Sequence, residues 1–489
     1  MVGRPARALA LLLPLGAAAV MWRPILGTSF HADDFTHLYD LVTLDRIAFL
    51  TQVWAGHLLT VFNAVTLGLF TAFGPDPAPA FWVVFVSHLL NVLLVYWAAR
   101  RLDVDAIVAG WSALAWGCCP TSVGTLGWYS VYGQVVLTTL TLLVVGSLAG
   151  QAGSHRPLSV GRALAWGVAL IAGGASFGSG LGLAAAFPVA VWLALPRAQR
   201  PRHTLAVLVT AGLLILAVYA LARHHSADFD PRARELTSPA AALRVLPGVL
   251  AMTTQLVGFG AYALGVGPVL PDVPLAGWLM GLAAAGAGAL AVTGWIAADP
   301  PMRRIQLALW LLVATVYATT AGGRVAVVEA FGAPVSRAAL WTRYQYLALA
   351  LVTLALAAAL GAIQARTAEA RGAVRGALGV WSAIRLLLLV LHPLPVDQHA
   401  NTRAETATAL AAIRRTIAAT PPGTVAHIPN RPFGALTIPW QFPGWAGLFV
   451  IHFPDNVVDG RPVRFLVSDA DWERLQARGG RIASLVEQP

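Results

Sequence analysis

Residues 4–40 read RPARALALLLPLGAAAVMWRPILGTSFHADDFTHLYD, an apolar run that is flanked by arginines and followed by a cluster of titratable side chains. The apolar run at residues 8–22 is close to the length of a membrane-spanning helix. Arg4 and Arg7 precede it, and small residues at 17–19 would also permit cleavage as a signal peptide. We predict an uncleaved signal anchor, because long apolar runs continue through the rest of the chain.

The composition of the whole chain is that of a membrane protein. Of its 489 residues, 57% are hydrophobic and 11% are charged, and the mean hydropathy is +0.69. Soluble domains carry about 25% charged residues. So few charges could not cover the surface of a soluble fold of this length, so the apolar side chains require lipid as their solvent. A water-soluble enzyme is excluded.

All 33 basic residues are arginine, since the sequence has no lysine. Schiff-base catalysis, pyridoxal attachment and a P-loop lysine are therefore excluded, and phosphate recognition falls to guanidinium groups. The net charge of +11 does not imply a nucleic-acid partner, because arginines in cytoplasmic turns explain much of it. The adjacent Cys118 and Cys119 suit neither an ordinary disulfide nor a zinc site, and we interpret them as packing residues.

The apolar runs predict about eleven transmembrane helices. They lie at residues 8–22, 80–98, 104–119, 133–150, 162–177, 180–195, 203–221, 275–297, 303–321, 342–363 and 376–392. Arginines in alternate short loops place those loops and the N-terminus in the cytoplasm. The apolar segment 245–265 would disturb this alternation if it crossed the membrane, so we predict an interfacial or re-entrant segment there.

The chain changes character after residue 391. Residues 393–489 contain many Pro, Asp, Glu and Arg residues, together with short β-prone runs at 424–428, 447–453 and 463–467. An odd number of spans places this region outside the cytoplasm, with the loops 27–79, 223–274 and 322–341. We therefore predict an all-α polytopic membrane domain over 1–392 and a small extracytoplasmic α/β domain over 393–489.

Asp33 and Asp34 lie in the first outward loop, a few residues after the first span. Carboxylates at a membrane surface are costly unless they are solvated or used. One interpretation is structural, because an aspartate at the start of a helix accepts hydrogen bonds from free backbone N–H groups. The other is that the pair carries chemistry.

The cytoplasmic N-terminus, the many spans, the acidic pair and the outward C-terminal region together resemble the GT-C glycosyltransferases, which use polyprenyl-phosphate sugars. The superfamily includes protein O-mannosyltransferases and aminoarabinose transferases. Its first outward loop carries a paired acidic motif, and Asp33-Asp34 stands in the corresponding place. The second residue is not the Glu of the mannosyltransferases, and a sequon-binding motif of the oligosaccharyltransferase type is not found.

This resemblance implies a glycosyltransferase of a bacterial-type inner (cell) membrane, with its active site on the extracytoplasmic face. It implies a polyprenyl-phosphate sugar as donor, a glycan, lipid or protein as acceptor, and contact with membrane lipid. Transfer needs a base for the acceptor hydroxyl and a cation for the departing phosphate. Asp33 or Asp34 is the expected base, with Asp34 placed slightly ahead.

The candidate phosphate ligands are Arg343, Arg324 and Arg337, which lie around one outward loop. We favour Arg343, because a guanidinium beside tyrosines at the interface suits a phosphate whose lipid tail enters the bilayer. Interfacial anchoring by the same side chains is the structural alternative.

Candidate substrate-binding residues are His57, Tyr129, Gln134 and Tyr344. His57 lies in an amphipathic stretch at 46–73, and Tyr129 and Gln134 lie in an aromatic and polar segment that faces outward. A structural histidine and an interfacial aromatic belt are the alternatives.

No closed metal site is predicted, and a divalent ion at Asp33-Asp34 with His31 or His37 stays open. The groups His224, His225, Asp228 and Asp230, and His392, Asp397 and His399, match no metal-ligand spacing and are interpreted as solvated.

Two other functions are weighed. A transporter is disfavoured, because the predicted spans hold almost no acidic residue and no internal repeat is visible. A polysaccharide ligase or polymerase would instead rely on arginines of a large late loop, for which Arg232, Arg234 and Arg244 are candidates.

Overall fold

The structure is a computed structural model that describes residues 4–154, 156–225, 239–265, 277–330, 334–391 and 401–419. It also describes 426–428, 452, 457–458, 461–466 and 486–487. The helices are α1 (Arg4–Trp22), α2 (Asp33–Thr43), α3 (Arg46–Thr51), α4 (Thr60–Phe73), α5 (Pro77–Arg101), α6 (Ala106–Gly117), α7 (Val123–Leu126), α8 (Tyr132–Gly153), α9 (Val160–Gly174), α10 (Ser179–Ala194), α11 (Arg202–His225), α12 (Pro239–Gly265), α13 (Gly277–Ala297), α14 (Pro300–Ala330), α15 (Val335–Ala338), α16 (Tyr346–Gln364), α17 (Ala368–Leu391) and α18 (Arg403–Ala418).

Within these ranges, nine helices are long and apolar enough to cross a membrane. The number is ten if α6 and the short helices that follow it, bent by 46°, form one span. Of the eleven predicted spans, α9 and α10 do not meet the length criterion, with 15 and 16 residues, whereas Leu243–Gly265, which we did not count as a span, does. Helices of 15 and 16 residues rise about 22–24 Å, which is less than the roughly 30 Å of a hydrocarbon core. The chain is an integral membrane protein with an all-α bundle.

Helix α12 occupies about half of the predicted outward loop 223–274 and contains the segment 245–265, for which we predicted an interfacial or re-entrant position. Its segment Leu243–Gly265 has 23 residues and passes the length and hydropathy criteria for a span. Whether it crosses or lies in the interface, as the arginine alternation indicated, stays a prediction. Of the loop arginines, Arg244 is an exposed residue of α12, and Arg232 and Arg234 lie outside the described residues.

The bundle has two chemically different ends. Helices α1 and α5 connect them, and α5 alone has 25 residues and is about 37 Å long. We call one end the site end; it contains the first loop, from Thr28 to Asp76. We call the other the arginine end, because Arg375 there pairs with Asp105, and Arg366 donates to carbonyl oxygens at the end of α13. The placement of the arginine turns on the cytoplasmic face stays a prediction.

The segment after the last span packs on the site end. Ser29 N–H donates to the Asn401 carbonyl oxygen at 2.7 Å, and the Thr406 hydroxyl donates to that of Ser29 at 2.8 Å. The first loop contains two short strands, β1 (Val53–Trp54) and β2 (His57–Leu58). The described residues after α18 include four more: β3 (Ala426–Ile428), β4 (Val457–Val458), β5 (Arg461–Leu466) and β6 (Val486–Glu487). Strand β5 pairs in parallel with β3 and β6, and antiparallel with β4.

These described pieces match the predicted strands 424–428 and 463–467 in place. The predicted run 447–453 lies outside the described residues, apart from His452. The described strands do not show a separate α/β domain, so the division of the chain at residue 392 stays a prediction.

Candidate active site

The acidic pair forms the first turn of α2, and its two carboxylates have different surroundings. Asp34 is 1% exposed, and its Oδ1 accepts hydrogen bonds from the backbone N–H of Ser130 at 2.6 Å and from the Ser130 hydroxyl at 2.5 Å. Its Oδ2 accepts from the backbone N–H of His31 at 3.0 Å. Burial raises the pKa of Asp34 to about 7, against the lowering effect of these hydrogen bonds. Asp34 therefore ties the start of α2 to the loop before α8.

Asp33 is half-buried, and its carboxylate accepts no hydrogen bond and forms no ion pair in the part of the chain that the structure describes. Burial raises its pKa, while the positive charges of Arg343 and Arg324 lower it. Arg343 and Arg324 are therefore the cations whose charges act on the Asp33 carboxylate. Of the two aspartates, Asp33 is the one whose carboxylate oxygens accept no hydrogen bond from a described residue.

Arg343 lies in a cage of aromatic rings. Its guanidinium carbon is 4.8 Å from the ring centre of Trp128, 4.6 Å from that of Trp341 and 5.4 Å from that of Tyr344. The rings hold the cation by its faces, and its N–H groups donate no hydrogen bond to any described residue. A planar, permanently charged group with free donors is suited to bind phosphate oxygens.

The backbone around Arg343 is fixed by close packing. The one-turn helix Thr342–Tyr344 lies against α7, where a side chain at Gly124 would overlap the backbone of Arg343. The Thr125 hydroxyl also donates to the Arg343 carbonyl oxygen at 3.4 Å. The position of this arginine therefore depends on a glycine more than two hundred residues earlier in the chain.

Arg324 is engaged with the first loop, unlike Arg343. It contacts the Nε2 atom of His57 and lies 3.4 Å from the Ala55 carbonyl oxygen. Its guanidinium carbon is 5.9 Å from the ring centre of Tyr344. Arg324 thus joins α14 to the first loop while its charge acts on Asp33.

His57 belongs to a hairpin of two short strands, β1 (Val53–Trp54) and β2 (His57–Leu58). Ala55 and Gly56 form its turn with φ of +47° and +77°, the backbone of a type I′ hairpin. The ring stacks on Phe177 at 4.0 Å, and Nδ1 accepts from the Gly178 N–H at 3.1 Å. Burial and the two nearby arginines lower the pKa of His57 well below its usual value. His57 is therefore a neutral support for Arg324.

The other predicted substrate-binding residues have contacts that point less directly to a bound substrate. Tyr129 is 3% exposed, packs among Phe30 and Phe62, and shares a hydrogen bond with Thr66 at 3.0 Å. Such contacts are those of a core residue.

Gln134 is buried in the first turn of α8, and its amide donates no hydrogen bond within the described ranges. Tyr344 lies beneath both arginines, and its buried hydroxyl has no hydrogen-bond partner among the described residues. Arg337 lies in α15, but its side chain is outside what the structure describes.

The histidines next to the acidic pair do not gather around it as a ligand set. His31 Nδ1 is 3.8 Å from Asp34 Oδ2. His37 is enclosed by Trp54 and Phe62, each with its ring centre 5.2 Å away, and burial lowers its pKa to about 3. Over the described ranges, no group of three His, Cys, Asp or Glu residues is placed to hold a metal ion. His392, Asp397 and His399 lie outside those ranges.

Four residues that the sequence analysis did not single out as site residues support the site. Ser130 binds Asp34, Trp128 and Trp341 enclose Arg343, and Gly178 approaches the His57 ring so closely that a side chain there would overlap it. Ser130 lies inside the aromatic and polar segment noted for Tyr129 and Gln134. Only their long-range contacts, which periodicity does not predict, reveal what they do.

No protein-family model matches the chain, and neither does any curated protein. Solved structures of the Archaeoglobus fulgidus oligosaccharyltransferase are similar in general arrangement. The form tethered to an acceptor peptide containing the NVT sequon has a TM-score of 0.44 and 13% identity, over 85% of this chain and 58% of that chain. The complex of AglB with an inhibitory peptide and a dolichol-phosphate has a TM-score of 0.40 and 14% identity, over 84% and 58%.

The match covers only about six tenths of the length of that archaeal protein. At such identities and TM-scores the likeness is one of overall helix arrangement, and it assigns no role to any residue of this chain.

Proposed function

We propose that this protein is a membrane glycosyltransferase that moves a sugar from a polyprenyl-phosphate donor to an extracytoplasmic glycan, lipid or protein acceptor. The observation that carries the proposal is one constellation at the site end. It contains the free carboxylate of Asp33, the uncommitted guanidinium of Arg343, and Arg324. These are a base and cations that act on one another at one end of the membrane helices.

In this proposal Asp33 is the general base. The reaction joins an acceptor hydroxyl oxygen to the anomeric carbon of the sugar, while the bond from that carbon to the phosphate oxygen breaks. The hydroxyl proton passes to the Asp33 carboxylate, and the polyprenyl phosphate leaves with the bonding electrons. A pKa raised by burial makes Asp33 a stronger base than an exposed aspartate, while the charges of the two arginines oppose that rise.

Arg343 is the proposed phosphate ligand. Negative charge grows on the phosphate as it departs, and a guanidinium with free donors stabilises it more in the transition state than in the ground state. Its aromatic cage holds the cation without using its N–H groups. Arg324, held by His57, supplies a second positive charge, and Asp34 fixes the loop that carries Asp33.

The candidate spans disfavour the transport alternative. The one acidic residue in the nine long spans and the bent pair is Glu369, which lies in the first turn of α17. Ion-coupled transport commonly uses acidic residues within the membrane. Tyr129 and Gln134 remain candidates for sugar contact, with Gln134 the better placed because its amide is uncommitted.

The test is sugar transfer by the purified protein in lipid, with a panel of polyprenyl-phosphate hexoses and pentoses as donors and a cell-envelope extract as acceptor. Release of polyprenyl phosphate and transfer of labelled sugar are both measured. The matched variants are Asp33→Asn and Asp105→Asn, which make the same chemical change at opposite ends of the bundle. Turnover by wild type and Asp105→Asn alone supports the proposal. Equal turnover by Asp33→Asn would remove Asp33 as base, and no turnover of any donor by wild type would contradict the enzyme class.

A further inference from the structure

The arginine end contains a cavity of about 330 Å³ that the proposed reaction does not use. Arginines from three helices line it: Arg7 of α1, Arg100 of α5, and Arg371 and Arg375 of α17. Two aspartates, Asp103 and Asp105, line it as well. Four guanidinium groups against two carboxylates leave the cavity positively charged.

Two of the four arginines, Arg375 and Arg100, already donate hydrogen bonds within the protein. Arg375 donates through Nε and Nη2 to Oδ2 of Asp105, at 3.0 and 2.8 Å. Oδ1 of Asp105 accepts from the backbone N–H groups of Ile107 and Val108, which caps α6. Arg100 donates to the Val104 carbonyl oxygen. Asp105 is therefore fully occupied by the fold.

The other two cations are uncommitted. Arg7 and Arg371 are exposed at the mouth of the cavity, and neither donates a hydrogen bond nor forms an ion pair within the described residues. Arg7 of α1 and Arg371 of α17 therefore present positive charge at the mouth of the cavity, although the two helices are far apart in the sequence.

An uncharged donor also lines the cavity. Gln364, the last residue of α16, is 4% exposed, and its Nε2 is buried without a hydrogen-bond partner among the described residues. A buried unpaired amide donor is unfavourable, so its N–H group would stabilise a ligand with acceptor oxygens. Free guanidinium groups and an unpaired amide donor together favour the binding of a ligand rich in anionic oxygens.

We propose that this cavity binds the phosphate headgroup of an anionic phospholipid. Basic pockets at the ends of membrane helices bind such headgroups. The two helices that flank the mouth present apolar side chains outward, as an acyl chain would require: Leu9 and Leu12 on α1 are 62% and 60% exposed, and Val380 on α17 is 62% exposed. A soluble phosphate would have the same headgroup chemistry but no use for these apolar faces.

The bound headgroup would join α1 to α16 and α17, which follow it far along the chain. Binding to the folded state alone stabilises it. The experiment uses the full-length protein in nanodiscs of phosphatidylcholine with a minor fraction of phosphatidylglycerol. Native mass spectrometry measures retained lipid, and thermal unfolding is followed with and without the anionic lipid.

The test variant is the double substitution Arg7→Gln/Arg371→Gln. The control is Arg197→Gln/Arg202→Gln, which removes the same charge from exposed arginines outside the cavity. We expect wild type and control to retain one phosphatidylglycerol, and the test variant to bind it about tenfold more weakly. Arg371→Lys, which keeps the charge, should retain most of the binding.

Equal retention by test and control variants would overturn the proposal, and so would equal retention of phosphatidylcholine. Inorganic phosphate or glycerophosphoglycerol that stabilised the protein as well as the lipid would overturn the lipid assignment. Both readouts are independent of sugar transfer, so failure here and failure of the proposed reaction are distinguishable.

Discussion

The two ends of the bundle use the same residue types in opposite ways. At the arginine end, Asp105 and Arg375 lie 2.8 Å apart and neutralise each other, while Asp105 also caps a helix. At the site end, Asp33 and Arg343 influence each other electrostatically but are not joined by an ion pair. Aromatic rings, rather than a carboxylate, hold Arg343 in place.

The difference separates charges that hold the fold from charges that are available for chemistry. An ion pair within hydrogen-bonding distance satisfies both partners and leaves little for a substrate. A carboxylate and a guanidinium that are supported separately keep their proton-accepting and donating capacity. Asp33 and Asp34 repeat this contrast within two adjacent residues, because the fold uses Asp34 and leaves Asp33 free.

The largest expected effect is that of Asp33→Asn. The amide keeps the shape of the side chain but cannot accept the acceptor proton, so we expect sugar transfer to fall by about 10²- to 10⁴-fold. The midpoint of thermal unfolding should change little, because no described residue depends on this carboxylate. Sugar transfer and unfolding are measured on the same preparation. Loss of stability in parallel with activity would assign Asp33 to the fold instead.

Arg343→Gln should lower transfer by about 10²-fold, because it removes charge stabilisation of the leaving phosphate. Arg343→Lys keeps the charge but loses the planar fork of donors, and we expect intermediate activity. Initial rates against donor concentration separate the two effects. A change confined to KM would mean that Arg343 anchors the donor equally in ground and transition states.

Arg324→Gln tests the electrostatic link to Asp33. Removing a positive charge that lowers the pKa of Asp33 must raise that pKa further. Because the base acts when deprotonated, the acidic limb of the pH–rate profile should move to higher pH, and activity below the limb should fall. His57→Phe should act in the same direction if it frees Arg324. An unmoved limb in Arg324→Gln would show that another group sets it.

Asp34→Asn is expected to act through stability. Its amide nitrogen would face N–H or O–H donors of Ser130 or His31, and one unsatisfied buried donor is unfavourable by about 1–3 kcal/mol. Unfolding in denaturant measures this directly. Asn at position 34 with normal stability and no activity would instead place Asp34 in the chemistry.

The pH dependence of the free energy of unfolding provides a second test of Asp34. The pKa of Asp34 in the folded state, about 7, is above its ordinary value of 3.8. The folded state thus binds this proton more tightly than the unfolded state. The stabilisation is complete below pH 3.8 and is lost as pH rises through about 7. Wild type should show this decline, and Asp34→Asn should lack it.

The sequence predicts the membrane class, most of the apolar helices and the grouping of Asp33, Arg324 and Arg343 at one end of the bundle. It does so because span length, hydropathy and arginine placement are local properties. The predicted spans at α9 and α10 do not meet the length criterion, because these segments are apolar but their helices have only 15 and 16 residues.

The roles within the acidic pair depend on contacts that local patterns do not contain. Asp34 was placed slightly ahead of Asp33, yet the Asp34 carboxylate is bound by Ser130, ninety-six residues away in sequence. Likewise, Arg343 was favoured over Arg324 for its neighbouring tyrosines, whereas the contact of Arg324 with His57 could not be predicted from either segment.

The smallest effect is expected for Asp105→Asn at the arginine end. Asparagine caps a helix nearly as well as aspartate, so the substitution removes the ion pair with Arg375 and keeps the cap of α6. The Arg375 side chain is 36% exposed, and an ion pair so open to water contributes about 1 kcal/mol or less. Denaturant unfolding should show this small loss, diminishing in high salt, while sugar transfer stays at the wild-type level. A loss of transfer comparable to that of Asp33→Asn would mean that the paired charges also serve the reaction, and the contrast between the two ends would not hold.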